Sequence, residues 1–368
     1  EPEIIEFVEE SREDEILPED MIVDDSQMQP EPTQPPALED EQIAQVLSEM
    51  KLGVEDYLSL FAGIREVARE VRKSIVTVVG WLDNEYENEG AVSGIVVADN
   101  GIELLILADV SSIEDAQSLE VAFQDGEIYQ ATLMKKDNNT GLAVISIAKT
   151  KIKSPTLEMA VAANLGTSGS SLVGIPVIAL GRPMGTEGSL CYGNITSTGN
   201  AIRLPDSNYK LMTTDIYGSS SASGVLINLR GQVVGIIDMS KNSPDLSNLI
   251  SAVGISDLKK LVESLSNDKD IAYFGVYGAD VTESANEELG VPLGAYITEI
   301  DMDSPAMNAG IQSGDVILKW NDMEIESYQD LVSTLLLEEP EKTVSITLMR
   351  QGPEGYTEME TTAVLGLK

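Results

Sequence analysis

The sequence predicts a mainly β chain, a barrel or sandwich followed by a smaller α+β unit and preceded by a helix and an acidic disordered segment. Three observations carry this reading. Short β-branched or apolar runs at residues 75–79, 94–97, 104–107, 142–145, 177–180 and 233–237 are separated by Gly, Asn and Asp with little helical pattern between them, as in an all-β barrel or sandwich. The polar stretch Asn267-Asp268-Lys269-Asp270 stands as a hinge before a second region of mixed pattern. Ahead of the strands, Ile43, Leu47, Met50, Val54, Tyr57, Phe61, Ile64, Ala68 and Val71 recur at alternating steps of four and three, the seam of a heptad repeat.

Taken in order, residues 1–38 are rich in Glu and Asp, carry Arg12 as their one basic residue and end in a Pro-rich run. Such a segment self-repels and buries little, so a disordered acidic, Pro-rich spacer is expected. Residues 39–73 form the heptad-patterned helical region, with Gly53 and Gly63 as its expected breaks because each costs about 1 kcal/mol relative to Ala in a helix interior. The seam is covered either by the neighbouring barrel or by a second copy. Residues 74–266 hold the strand runs and close on a helix at 256–265. Residues 267–368 form the second unit, in which Ser304 caps a short helix with Pro305 at its first position and Gly310 after its end. Residues 343–348 alternate as a half-buried strand does.

Composition narrows the function classes. The formal charge is −39, from 62 acidic and 23 basic residues, which argues against nucleic acid and against an anionic membrane surface, both of which need clustered Lys and Arg. The single Cys191 forms no intramolecular disulfide and fits a reducing or an oxidising compartment equally. No apolar run reaches the roughly 18 residues of a membrane helix. The chain begins at Glu1, which is read here as a fragment, with an N-terminal anchor outside it. There is no histidine. The commonest general base and metal ligand is therefore missing, and neither a metal nor a cofactor site is expected.

Specificity comes from a series of short motifs in order. Ser93-Gly94 through Asn100-Gly101, Phe123-Gln124-Asp125-Gly126, Lys136-Asp137 before Leu142-Ala143-Val144-Ile145, Leu180-Gly181 with Pro183 and Gly185, Thr214-Asp215, and Leu226-Ile227-Asn228 with Gly231 together resemble the HtrA/DegP-type trypsin-like serine proteases. That resemblance implies a trypsin-like double β-barrel followed by a PDZ domain. It also implies an extracytoplasmic bacterial protein tethered by a membrane helix, and a homotrimer. In that family a His follows the strand that here ends at Leu107, and Asp109 or its neighbour occupies the place. The family's Asp precedes the Leu-Ala-Val strand, where this chain has Gly141. Counting back from Leu226-Ile227-Asn228 puts Ala222 at the nucleophile, and counting forward from Thr214-Asp215 puts Ser223 there.

A serine hydroxyl is a poor nucleophile until a base takes its proton, and the carboxylate orients that base. The expectation is a triad-deficient, catalytically inactive member. A Ser-Lys dyad would need Lys210 beside Ser219, Ser220, Ser221 or Ser223, and Asp137 and Asp215 read as turn or capping residues. From Ile271 onward the resemblance is to the attached PDZ domain, on Tyr273-Phe274-Gly275-Val276 and on Ser313-Gly314-Asp315. It implies capture of a peptide C-terminus by backbone amides at Gly275, with Leu331 and Leu335 sharing one helix face and lining the pocket for an apolar last residue. The alternative is that both leucines are domain core. Three functions are weighed: a pseudoprotease that holds peptide C-termini or unfolded segments as sensor or scaffold, a weak serine endopeptidase, and a structural subunit of active relatives.

Overall fold

The computed structural model describes residues 2–7, 53–82, 88–169, 172–353 and 355–368, with the backbone alone at 88 and 89. Helix α1 (Val54–Val71) starts at Gly53, whose N–H donates to Asp56 Oδ2 at 2.8 Å. Glu55 and Asp56 lie in its first turn and Arg69 in its last, as the helix dipole favours. Gly63 does not break the helix. It lies within α1 with nothing within 4 Å of where a Cβ would stand.

The predicted seam divides along this helix. Ile64, Ala68 and Val71 are buried against the barrels, while Val54 and Tyr57 are exposed. Residues 39–52, with Leu47 and Met50, lie outside the described residues. So does most of the expected spacer at 1–38. Its described part, residues 2–7, is docked instead: the backbone N–H and C=O of Ile5 bond the Asn267 side chain at 2.9 and 2.7 Å, and Ile5 and Phe7 pack on the core. Two apolar side chains within an acidic run account for the difference, because they give the segment something to bury.

Six strands, β1 (Ile75–Trp81), β2 (Asn88–Asp99), β3 (Glu103–Asp109), β4 (Ser118–Ala122), β5 (Ile128–Lys136) and β6 (Leu142–Ala148), close into a barrel in the order β1-β2-β3-β6-β5-β4. The short helix α2 (Ser154–Met159) leads towards a second barrel. Its strands are β7 (Pro176–Arg182), β8 (Ser189–Ala201), β9 (Lys210–Tyr217), β10 (Ser223–Asn228), β11 (Val233–Ile237) and β12 (Leu249–Gly254), in the order β10-β11-β12-β9-β8-β7.

The side-chain alternation of β3 explains why its sequence is continuously apolar. Leu104, Ile106 and Ala108 fill the first barrel, and Leu105 and Leu107 point into the cluster shared with the second. A strand buried on both faces loses its polar half. Helix α3 (Ile255–Ser266) adds Leu258, Leu261, Val262 and Leu265 to that shared cluster, which also takes Ile64, Ala68 and Val71 of α1.

The C-terminal domain is α+β. A two-stranded pair, β13 (Ala272–Tyr273) with β20 (Gly366–Leu367), accompanies a sheet of β14 (Val276–Asp280), β15 (Ala295–Ile300), β16 (Val316–Trp320), β18 (Thr343–Gly352) and β19 (Gly355–Val364), with β17 (Met323–Glu324) paired to β16. The sheet order β14-β15-β16-β18-β19 leaves β14 at an edge. Its helices are α4 (Glu283–Leu289), α5 (Pro305–Asn308) and α6 (Tyr328–Leu335). The caps are those the sequence predicts for α5, where Ser304 Oγ accepts the Met307 N–H at 3.1 Å, and α6 is capped alike by Ser327, whose Oγ accepts the Asp330 N–H at 3.0 Å. Phe274 meets Trp320 edge-on in the core, with ring centroids 5.0 Å apart. The chain is thus mainly β, a double barrel followed by an α+β domain and preceded by a helix. Among the described residues no helix is long and apolar enough to cross a membrane, and no group of three or more His, Cys, Asp or Glu is placed to hold a metal ion.

Candidate functional site

Where β3 ends at Asp109 the chain turns into a short 3-10 segment, Ser111–Ile113. The tight turn before β6 meets it there. Asp137 Oδ2 accepts the Thr140 N–H at 3.0 Å and the Thr140 hydroxyl at 2.7 Å, and the Val110 N–H donates to Gly141 O at 3.0 Å. Gly141 has φ +74°, and a Cβ on it would stand 1.8 Å from Ser111 Oγ and 2.8 Å from Asp109 Oδ1. A side chain at 141 would point straight at Ser111. Both Ser111 and Asp109, the residue expected at the base's place, thus face Gly141, and neither is a histidine.

Asp109 is bonded within the same turn. Its Oδ1 accepts the Ser111 N–H at 2.9 Å, which shapes the turn. Burial pushes its carboxyl above the usual range, and the neighbouring Asp238 pushes the same way, against its hydrogen bonds from Ser111 and the charge of Lys241. Sequence reasoning missed Ser111, Asp238 and Lys241, since only the turn geometry brings them together.

Of the two alternatives for the nucleophile, Ala222 has no hydroxyl and the hydroxyl of Ser223 is buried. Ala222 is buried and packs into the interior of the second barrel. Ser223 is also buried, and its Oγ accepts the Ser93 N–H at 3.0 Å, joining the two barrels. The preceding serines satisfy one another: Ser219 Oγ and Ser221 Oγ are 3.0 Å apart, and the Ala222 N–H donates to Ser219 O at 3.0 Å. Lys210 opens β9, whose eight residues separate it from that loop by roughly 25 Å at about 3.3 Å per residue. The Ser-Lys pairing is thereby removed. Asp215 clamps Asn194, accepting its N–H at 2.6 Å and its side-chain amide at 3.0 Å, and these bonds hold its carboxyl below the usual range.

The C-terminal domain carries a built anion site. The N–H groups of Phe274, Gly275 and Val276 converge on one carboxylate, that of Asp206 in the loop between β8 and β9. The distances are 2.8 Å from Phe274, 2.9 and 2.8 Å from Gly275 to the two oxygens, and 3.0 Å from Val276. Gly275 has φ +88°, and a Cβ there would lie 2.3 Å from Ser304 Cβ, so only glycine fits. Asp206 also donates its own N–H to Val276 O at 2.8 Å. Burial raises its carboxyl's pKa, while the three amides and the charge of Lys368 oppose the rise. Tyr273, at the head of the run, donates its hydroxyl to Asp301 Oδ2 at 2.8 Å.

Leu331 and Leu335 do share one face of α6, but that face belongs to the core. They are 1% and 3% exposed and pack with Phe274 and Trp320. The pocket-lining expectation is corrected accordingly: α6 turns its apolar stripe inward, and Gln329, Val332, Ser333 and Leu336 face the barrel. There, with Asn208, Tyr209 and residues of α3, they line a cavity of about 40 Å³. Asn208 donates to Gln329 Oε1 across it at 3.0 Å. Asp206 was not found from sequence. Its one local signal is the turn chemistry of Pro205-Asp206-Ser207-Asn208.

Comparison with known proteins agrees with this fold. The trypsin-like peptidase domain family matches residues 92–236 and the PDZ domain family matches residues 255–361. "Serine endoprotease DegS" of Haemophilus influenzae is 30% identical over 267 residues, covering 71% of this chain and 73% of that protein. "Probable periplasmic serine endoprotease DegP-like" of Chlamydia trachomatis is 27% identical, covering 71% of this chain, which in turn spans 51% of that relative's length. Among solved structures, "HtrA-type protease AlgW with decapeptide" superposes with a TM-score of 0.57 at 21% identity, over 83% of this chain and 98% of that one. At that identity the likeness concerns the fold.

Proposed function

This chain belongs to the HtrA/DegP-type family of trypsin-like peptidases with a PDZ domain, and from that premise we propose that it is a catalytically inactive member that holds peptides instead of cutting them. The observation that supports the reading is the turn at Gly141: where the orienting carboxylate is expected this chain has no side chain, and the groups that face it, from Asp109 and Ser111, include no imidazole. With no histidine anywhere and with Ala222 or Ser223 at the nucleophile's place, proton transfer to and from an attacking oxygen has no agent. Loss of the triad leaves about 10³ to 10⁴ over water from the oxyanion hole and binding alone, far below working enzymes.

Recognition falls to the PDZ domain. The amides of Phe274, Gly275 and Val276 hold a carboxylate, the group that a peptide C-terminus would present, beside the edge strand β14 to which a peptide can add. Tyr273 heads the run that carries these amides, and Leu331 and Leu335 pack with Phe274 and Val276 in the core behind it. The ligand class is a peptide C-terminus or an unfolded segment, in a sensor or scaffold role. Localisation outside the cytoplasm of a bacterium is part of this proposal and rests on the periplasmic relative. So are tethering by an anchor beyond this chain and assembly as a homotrimer, carried over from the family resemblance.

The relatives are named as serine proteases, which keeps weak endopeptidase activity as the second reading. Purified protein is expected to leave denatured casein intact and to take up no fluorophosphonate probe at Ser219, Ser220, Ser221 or Ser223. Stoichiometric labelling of one of these, with cleavage abolished by its change to Ala, would overturn the inactive reading.

A further inference from the structure

The carboxylate in the PDZ nest comes from the protein itself. We infer that Asp206 is an internal latch, a barrel-borne mimic of a peptide C-terminus that holds the PDZ groove closed until a competing terminal carboxylate displaces it. The inference rests on the proposed C-terminal recognition and names how that site is regulated.

Three features distinguish this contact from ordinary packing between domains. First, Asp206 uses all three converging amides, at 2.8 to 3.0 Å, so no second carboxylate can be held while it is in place. Second, the mimicry extends to the backbone. The N–H of Asp206 donates to Val276 O at 2.8 Å, the first rung along the free edge of β14, where an added peptide strand would pair. Third, the latch is held under constraint. Asp206 adopts φ +53°, a conformation an L-residue adopts uncommonly, and it is 3% exposed. Asn139 steadies the loop through a 2.9 Å bond to Pro205 O, and the Asn208 to Gln329 bond closes it over α6.

Hydrogen bonds to an ionised acceptor are roughly twice as strong as neutral ones. The internal carboxylate and an incoming one make the same type of bond, so the exchange is near balance in bonding. The tethered group keeps the advantage of being already in place. A ligand that needs a form populated at a fraction f binds with its affinity reduced by that fraction. A nest latched about nine-tenths of the time or more therefore weakens apparent binding about tenfold or more.

The test uses the full chain with two variants, Asp206→Ala and Asp206→Asn, and a fluorescent peptide with an apolar last residue, prepared as free acid and as amide. Hydrogen exchange at Phe274, Gly275 and Val276 reads occupancy of the nest, and anisotropy titration reads competition. Asp206→Ala is expected to speed exchange at those amides and to bind the free acid about tenfold or more tighter than the unaltered chain, with the amide unchanged. Asp206→Asn, which keeps the backbone rung and loses the charge, is expected to lie between and serves if the Ala variant does not fold. Wild-type exchange rates, or wild-type affinity for the free acid, in a folded variant would overturn the latch. Fast exchange with equal binding of acid and amide would instead refute C-terminal recognition while leaving Asp206 as the nest's internal ligand.

Discussion

Gly141 is held in a left-handed turn against Ser111, and each residue depends on the other being small. Gly141→Ala places a Cβ 1.8 Å from Ser111 Oγ and 2.8 Å from Asp109 Oδ1 at φ +74°. The expected cost is about 1–3 kcal/mol from backbone strain and overpacking, read as a lower thermal midpoint. Ser111→Ala in that background should recover part of it, because the hydroxyl is the worst of the contacts; no recovery would mean that the backbone alone carries the cost. Asp109 gives a second, pH-resolved expectation. Burial first, and Asp238 second, raise its pKa in the fold above the unfolded value, so the folded state holds this proton more readily. Stability contributed by Asp109 is therefore present below the ordinary carboxylate range and is lost as pH rises through the raised value. Asp109→Asn should be more stable than wild type at neutral pH, with the gain vanishing in acid; a gain that persists there would point to a cause other than ionisation. Gly141 was legible in the sequence because it sits at a fixed offset before the Leu-Ala-Val strand. Ser111 was not, since counting from a strand end does not say which residue of the following turn faces across. Asp206 was less legible still, because its partners lie some 70 positions away and no local pattern points to them.

At the scale of elements, strands and caps were read from local chemistry: Ser304 followed by Pro305 specifies its own helix start, and runs such as 104–107 announce burial on both faces. Helix α1 shows where such reading ends. Its periodicity gives a helix and a seam, but a period cannot name what covers the seam. Ile64, Ala68 and Val71 meet the barrels, whereas Val54, Tyr57, Leu58 and Leu60 are 75%, 62%, 59% and 49% exposed. Phe61 marks the transition, its ring tilted against Tyr57 with centroids 4.8 Å apart and edge-on to Tyr192 of the second barrel at 6.2 Å. An apolar stripe of this kind left in water favours association. The trimer proposed from the family resemblance should bury it. Tyr57→Asp and Leu58→Asp are expected to shift sedimentation at micromolar concentration from an associated species to monomer without loss of secondary structure. An unaltered chain that sediments as monomer would assign the stripe to some other partner, and variants that remain associated would remove this face from the interface.

For the whole molecule, the decisive quantity is how firmly the PDZ domain is held on the barrels, and one buried ion pair lies between them. The ammonium of Lys368 lies 3.8 Å from Asp137 Oδ1, with side chains 3% and 0% exposed, and joins the last strand region of the C-terminal domain to the turn that ends in Gly141. Its backbone is tied in as well, the Lys368 N–H donating to Ile271 O at 3.0 Å. Asp137 Oδ1 has no hydrogen bond of its own, so the lysine charge is what compensates it. The same charge helps keep Asp206 ionised in the nest. In a chain with a net charge of −39, few cations are available to replace it, and burial shields the pair from salt. Removing one member of a buried pair typically costs about 3–5 kcal/mol, because the other charge is left uncompensated. At 3.8 Å without a hydrogen bond, Lys368→Met should fall at the low end of that range. Lys368→Met with Asp137→Asn should recover most of the loss, since the amide keeps the bonds from Thr140 and removes the stranded charge. Thermal unfolding reads the energy, and limited proteolysis at residues 267–270 reads the docking, which the single variant should loosen and the double variant restore. If the single and double variants melt alike, the pair is not what holds the domains together, and the nest with Asp206 must carry the docking alone.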